Sequence, residues 1–459
     1  MRKECILVSG VGSTDPMRND FDGPLMHITR HYSPKKVYLL LSKEMGQMEK
    51  EWHYNETAIK QLDENIEVIP CYTEIENPHS YDDLMSVFNK ECEKIVSENK
   101  DCQVLLNITS GTPQMETTLA MIGITRPDIY VSVQVATPEK RKNSMEPRTI
   151  FKPGRDSVEE WFENNLDNLQ EAENRCTEPK LVNFRLPIIR FQIESLIQNY
   201  DYAGALELYK QNKGLFSEKL ELLLEHGKKR LNLEFDEAQK LAVQLNLKKE
   251  LYPSPRRDIL ELADYFNGMK IKKHQGEWND FMLRIEVLTQ YLALFILENC
   301  MKINIKTIST TWGKGKNKRT VLSKEKCVEK MPGIAEFLNK NYFFTEENRI
   351  YEWGNPLNSR VLVCFIAYLS QKEKFQKFKI HAEEMLRWAK LSSELRNPAA
   401  HTIVAITPDL IRNEYEGKSL DALCTQMEAV MRTAFGTEAS AETFKVYDKL
   451  NQLCGENFT

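Results

Sequence analysis

Val104-Leu105-Leu106-Asn107-Ile108-Thr109-Ser110-Gly111-Thr112-Pro113-Gln114-Met115 is the stretch on which the fold turns. Its first part, residues 104–108, is a short, mostly apolar run of the kind expected of a strand covered on both faces. A loop rich in hydroxyls and carrying Gly111 and Pro113 follows, and residues 115–123 continue with helical spacing. Strand, tight polar loop and helix in that order imply a parallel α/β sheet.

Runs of the same kind lie at residues 4–9, 36–41, 66–70 and 129–135, with helical spacing between them, as at 81–97. The fold class expected is therefore α/β plus all-α: a Rossmann-like, doubly wound parallel sheet, then helices. Residues 136–160 are polar, contain Pro138, Pro147, Pro153 and Gly154, and read as a loop or hairpin leaving the sheet. Helical patterns then follow at 191–198, 203–211, 217–231, 235–245 and 278–302, resuming near 333, 357, 379, 408 and 419. The expected domains are 1–175 (sheet), 176–275 (helical connector) and 276–459 (helical).

The chain has 459 residues, too many for one ordinary core, and a charged share of 28% typical of globular proteins. No apolar run approaches the length needed to cross a bilayer, and the first residues lack the pattern of a secretory signal. Ten scattered cysteines without a CxxC pair read as reduced thiols, so a cytoplasmic location, no membrane contact and no metal are expected. A formal charge of −5 gives the whole chain no pull on a polyanion. One stretch departs from this: residues 301–330 carry nine Lys and Arg against Glu325 and Glu329. Within it, Trp312, Lys314, Lys316, Lys318 and Arg319 are candidates to track an RNA backbone and stack a base, or else form a solvated loop. Lys270, Lys272, Lys273 and His274 read as an exposed face.

Ligands of open parallel sheets settle outside the carboxyl ends of the strands, where strand order reverses. Two loops there are rich in glycine and hydroxyls, residues 9–16 and 107–115. Their backbone N–H groups can approach a phosphate closely, although the same residues also suit plain helix capping. Gly10 and Gly12 lack the third glycine of a dinucleotide fingerprint, and no GKS or GKT follows, so a dehydrogenase and a P-loop NTPase are both excluded. The 107–115 motif resembles that of CARF domains, the sensors of cyclic oligoadenylate in type III CRISPR ribonucleases. The resemblance implies a ligand pocket shared across a dimer axis, with Ser9, Gly10, Ser13, Asn107, Thr109, Ser110, Gly111, Thr112, Gln114, Gln134 and Thr137 as its candidates.

Metal-free RNA cleavage needs a base for the 2′-OH proton, an acid for the leaving 5′ oxygen, and positive charge on the phosphorane. Arg396-Asn397-Pro398-Ala399-Ala400-His401 alone sets an Arg five residues before a His. On its own this spacing also fits a helix-end Arg and a surface His. Within a helical C-terminal domain it resembles the motif of HEPN ribonucleases, which implies Arg396, Asn397 and His401 as the catalytic set. One histidine per chain points to a homodimeric cleft.

The order of sensor, connector and nuclease resembles the Csm-type accessory ribonucleases of type III-A CRISPR systems along essentially the whole chain. It implies allosteric activation, with cyclic hexaadenylate expected rather than cyclic tetraadenylate, although four-membered rings activate other relatives. Further expectations are a single-stranded RNA substrate, 2′,3′-cyclic phosphate and 5′-OH ends, no cofactor, no stable DNA binding, and a sensor that slowly degrades its activator. The competing reading is a non-enzymatic, nucleotide-responsive regulator whose C-terminal helices bind nucleic acid or protein. Against it stands the lack of a helix-turn-helix with a basic recognition helix.

Overall fold

The computed structural model describes residues 4–139, 149–312, 319–343, 350–355, 357–396 and 405–458, and only the backbone at 312, 319 and 396. The chain divides into two compact units, Met1–Ile188 and Ile189–Thr459.

The first unit is built on five parallel strands, β1 (Cys5–Gly10), β2 (Lys36–Leu41), β3 (Glu67–Tyr72), β4 (Gln103–Asn107) and β5 (Tyr130–Val135). A two-residue strand, β6 (Cys176–Thr177), pairs antiparallel to β5 and completes the order 3-2-1-4-5-6. Alternation along each strand serves two cores. Leu7, Val37, Leu39 and Leu105 face one, packed with Leu25 and Ile28 of α1 (Pro24–Tyr32) and Ala58 and Ile59 of α3 (Tyr54–Leu62); α2 is Lys43–Trp52. Ile6, Val8, Leu40 and Leu106 face the other, against α4 (Tyr81–Glu98) and α5 (Pro113–Thr125). Each fully buried Leu or Ile contributes about 1.5–3 kcal/mol, which explains why these strands read as continuous apolar runs. In register, Ser9 lies beside Asn107, so β1 and β4 end side by side where the strand order turns back.

The short helix α6 (Val158–Glu163) precedes β6, and α7 (Val182–Gln198) leads into the second unit. There α8 (Tyr202–Gln211), α9 (Glu218–Leu231), α10 (Phe235–Gln244) and the single turn α11 (Lys248–Leu251) precede the helix pair α12 (Arg257–His274) and α13 (Trp278–Phe295). One apolar core runs from Ile259 of α12 to Phe444 and includes α14 (Ser359–Leu369), α15 (Lys379–Leu391), α16 (Pro408–Glu414) and α17 (Leu420–Phe435). The last helix, α18 (Val446–Gly455), returns to the connector: Tyr202 Oη donates to Asn451 at 2.6 Å and Tyr200 Oη to Asp448 at 2.7 Å.

The helix expected over 278–302 ends earlier. α13 stops at Phe295, a π turn (Ile296–Cys300) follows, and Lys302, at φ 60°, leaves right-handed helical space. The basic stretch forms an antiparallel hairpin, Ser309–Trp312 with Arg319–Leu322, whose tip lies outside the described residues. The lysine face at 270–273 is not free. Lys270 Nζ donates to the Phe444 carbonyl at 2.8 Å, Lys272 pairs with Glu277, and Lys273 with Asp421.

Candidate sensor cleft and nuclease segment

The two glycine-bearing loops meet at the carboxyl edge of the sheet. A Cβ on Gly12 would stand 2.8 Å from Gly111 Cα, so the loops close backbone to backbone. Gly111 also holds φ 103°, which L side chains rarely adopt. Behind the contact, Asn107 ties the loops: its amide donates to Ser9 Oγ and Ser110 Oγ, both at 2.9 Å, and its Oδ1 accepts from the Thr109 N–H at 3.0 Å. Ser9, Asn107 and Ser110 are 0% exposed, so their polar atoms serve the loop scaffold. Thr112 caps α5, accepting from Met115 N–H and donating to the Pro78 carbonyl.

In front of this scaffold lies a cleft of about 320 Å³. Of the expected residues, Thr109, Gly111 and Thr137 line it, with Thr109 Oγ1 also accepting from Val135 N–H. Gly10 is buried against Met115. Ser13 and Gln134 are exposed beside the cleft rather than lining it, and Gln114 bonds His79 at 3.2 Å. Sequence reasoning missed Arg18, Phe21 and Arg175, which also line the cleft. They come from a hairpin of two two-residue strands and from the position just before β6, all too short to carry a periodic signal.

Two buried carboxyls, Asp22 lining the cleft and Asp15 next to the lining Thr14, shift in opposite directions. Burial pushes the Asp15 carboxyl up to about 6, although hydrogen bonds from Ser110, Leu25 and Gly12 oppose this. Burial also raises Asp22, yet hydrogen bonds from His27, Arg30 and Asn165 outweigh it and lower Asp22 to about 2. Asp22, His27 and Asp167 bring ligand atoms within 4.8 Å of one another, among the described residues the one group spaced for a metal ion. Their oxygens are already engaged, Asp22 by Arg30 and Asp167 by Arg175, so the donor set fits guanidinium groups better than a metal ion.

In the helical unit, α15 continues as a π turn, Ser392–Arg396, packed against α13. Such turns recur at functional sites. Asn397 and His401, with Pro398, lie outside the described residues, as do Lys314, Lys316 and Lys318. On either side of residues 397–404, Leu395 and Ile406 are 7% and 4% exposed, and Ile406 N–H donates to Asn279 Oδ1 at 3.0 Å. The backbones of Trp312 and Arg319 pair in register at the end of the hairpin next to its tip.

Three family descriptions match the chain: the Cas_Csm6 CARF domain over residues 65–176, the Csm6 6H domain over 179–231, and the Cas_Csm6 HEPN domain over 251–454. Relatives named CRISPR system endoribonuclease Csm6 include one from Enterococcus italicus, 26% identical over 98% of this chain and 99% of the relative. Another, from Mycobacterium tuberculosis, is 26% identical over 97% of each chain. The solved Enterococcus italicus Csm6, bound to cyclic hexa-2′-fluoro-hexa-dAMP, shares the fold with TM-score 0.68 at 22% identity, over 98% of this chain and 99% of that one.

Proposed function

We infer that this chain, which belongs to the Csm6 family of type III CRISPR accessory ribonucleases, cuts RNA when a cyclic oligoadenylate occupies its sheet unit. It is an endoribonuclease acting in CRISPR antiviral defence. Two features held by one chain carry this reading. One is a carboxyl-edge cleft closed by Gly12 on Gly111; the other is Arg396 at an anchored break in a helical core.

In this account residues 1–175 sense the ligand, 176–275 connect, and 276–459 cut. Cyclic hexaadenylate is the activator, a choice supported by the hexameric analogue bound to the Enterococcus relative. Its phosphates are met by the N–H groups of the two loops and by Arg18 and Arg175. His401 exchanges the 2′-OH and 5′-oxygen protons, Arg396 stabilises the phosphorane, and Asn397 orients the phosphate. Since each chain has one such histidine, a homodimer supplies base and acid together. Exposed Tyr291 and Ile380, on the packed helices α13 and α15, are surfaces suited to pairing. The ends left are a 2′,3′-cyclic phosphate and a 5′-OH, and no metal is needed. A cytoplasmic location accords with ten free cysteines; among the described residues, no helix is long and apolar enough to cross a membrane.

The test is cleavage of a fluorescent single-stranded RNA without ligand, with cyclic tetraadenylate, and with cyclic hexaadenylate. Strong activation by the six-membered ring is expected; equal rates in all three would overturn the reading.

A further inference from the structure

A cavity of about 710 Å³ opens between α10, α11 and α12, within the connector. Its size is that of a small-molecule site. Phe235, Pro253, Pro255 and Leu260 give it an apolar wall, and Tyr252 adds a second aromatic ring.

Charge is unevenly shared around the rim. Arg257 is committed to Asp236 at 2.7 Å and to Glu261 at 2.6 Å. Lys248 and Lys249 are exposed and make no ion pair among the described residues, which leaves them as the rim's free cations.

Asp264, also lining the cavity, is 2% exposed. One of its oxygens accepts from Arg230 Nε at 2.7 Å, and the other, Oδ1, has no hydrogen-bond partner. The Tyr252 hydroxyl is likewise buried without a partner, and burial pushes its phenol up to about 12, so it stays a donor. Buried polar atoms are nearly always satisfied. A carboxylate at the base repels an anion and accepts an N–H, whereas paired lysines at the rim attract phosphate as point charges. The cavity therefore has an orientation, with a flat hydrogen-bond donor inward and an anion outward.

We propose that this cavity binds a nucleotide, its phosphate on Lys248 and Lys249, its base against Phe235, Tyr252 and Leu260, and a base N–H donated to Asp264 Oδ1. The nucleotide is either free or one unit of an RNA chain passing over the connector. The site is separate in residues from the sensor cleft and from the Arg396 segment, and the variants that test it touch neither.

The full chain, with cyclic hexaadenylate in excess, is titrated with AMP and GMP by calorimetry, and with a 2′-O-methyl single-stranded RNA by fluorescence anisotropy. Mononucleotide binding that depends on the two lysines identifies a free nucleotide, and RNA binding with that dependence, without mononucleotide binding, identifies a chain unit. Either binding must weaken about tenfold or more in Lys248→Ala/Lys249→Ala, a surface change that spares the core. Leu260→Trp, which fills the slot, should abolish it, provided circular dichroism shows a folded protein. No binding of any probe to about 1 mM, or binding unchanged in the lysine variant, would overturn the proposal.

Discussion

Asn107→Ala isolates the tie between the two sensor loops. The change removes two hydrogen bonds donated by the amide and one accepted from Thr109 N–H. Each contributes about 1 kcal/mol net, so about 3 kcal/mol of local stability is lost. Because Ser9 and Ser110 are 0% exposed, water does not take over the lost bonds while the loops stay closed. At about 1.4 kcal/mol per tenfold, the closed loop arrangement becomes roughly 100-fold less favoured. Urea unfolding followed by circular dichroism measures the stability, and calorimetric titration with cyclic hexaadenylate measures the affinity. The sheet unit should unfold at lower urea and bind the ring up to about 100-fold more weakly. An unchanged midpoint together with an unchanged affinity would refute the role assigned to Asn107.

Gly12→Ala drives a Cβ to 2.8 Å from a backbone atom that has no room to yield. It should cost about 1–3 kcal/mol and weaken ring binding in the same titration. Asp15, raised by burial to about 6 from 3.8, holds its proton more tightly folded than unfolded. Stability from this group is therefore lost as pH rises from about 4 through about 6, and Asp15→Asn, compared by thermal melts over that window, should flatten the loss. In the helical unit, Asp264→Ala strands the Arg230 charge, both residues being at most 2% exposed, and should cost about 3–5 kcal/mol in urea unfolding. Arg230→Leu/Asp264→Leu should recover most of that cost.

The sheet was legible because both its faces are covered: Ile6 to Val8, Val37 to Leu41 and Val104 to Leu106 are apolar whichever way they point. β6 was not, since two residues carry no period. Helix existence was read well and helix ends less so; the stop at Phe295 depends on a π turn and on Lys302 leaving helical space, neither of which composition signals. In the sensor, the loops were legible as loops, but the division of labour within them was not. Ser9, Asn107 and Ser110 have the composition of ligand contacts yet spend their polar atoms on one another. Arg18, Phe21 and Arg175 reach the cleft only through tertiary folding. The spacing from Arg396 to His401 stands out in the sequence but left two readings open, and only its resemblance to a family motif favoured a nuclease; Asn397 and His401 lie outside the described residues.

The account rests most directly on His401. RNA cleavage is measured in EDTA with saturating cyclic hexaadenylate for the wild type and His401→Ala, with ring binding measured on both. Cleavage by the wild type, at least about 1,000-fold loss in the variant and equal ring affinity are predicted. Undiminished cutting by His401→Ala, or a wild type silenced by EDTA, would contradict it.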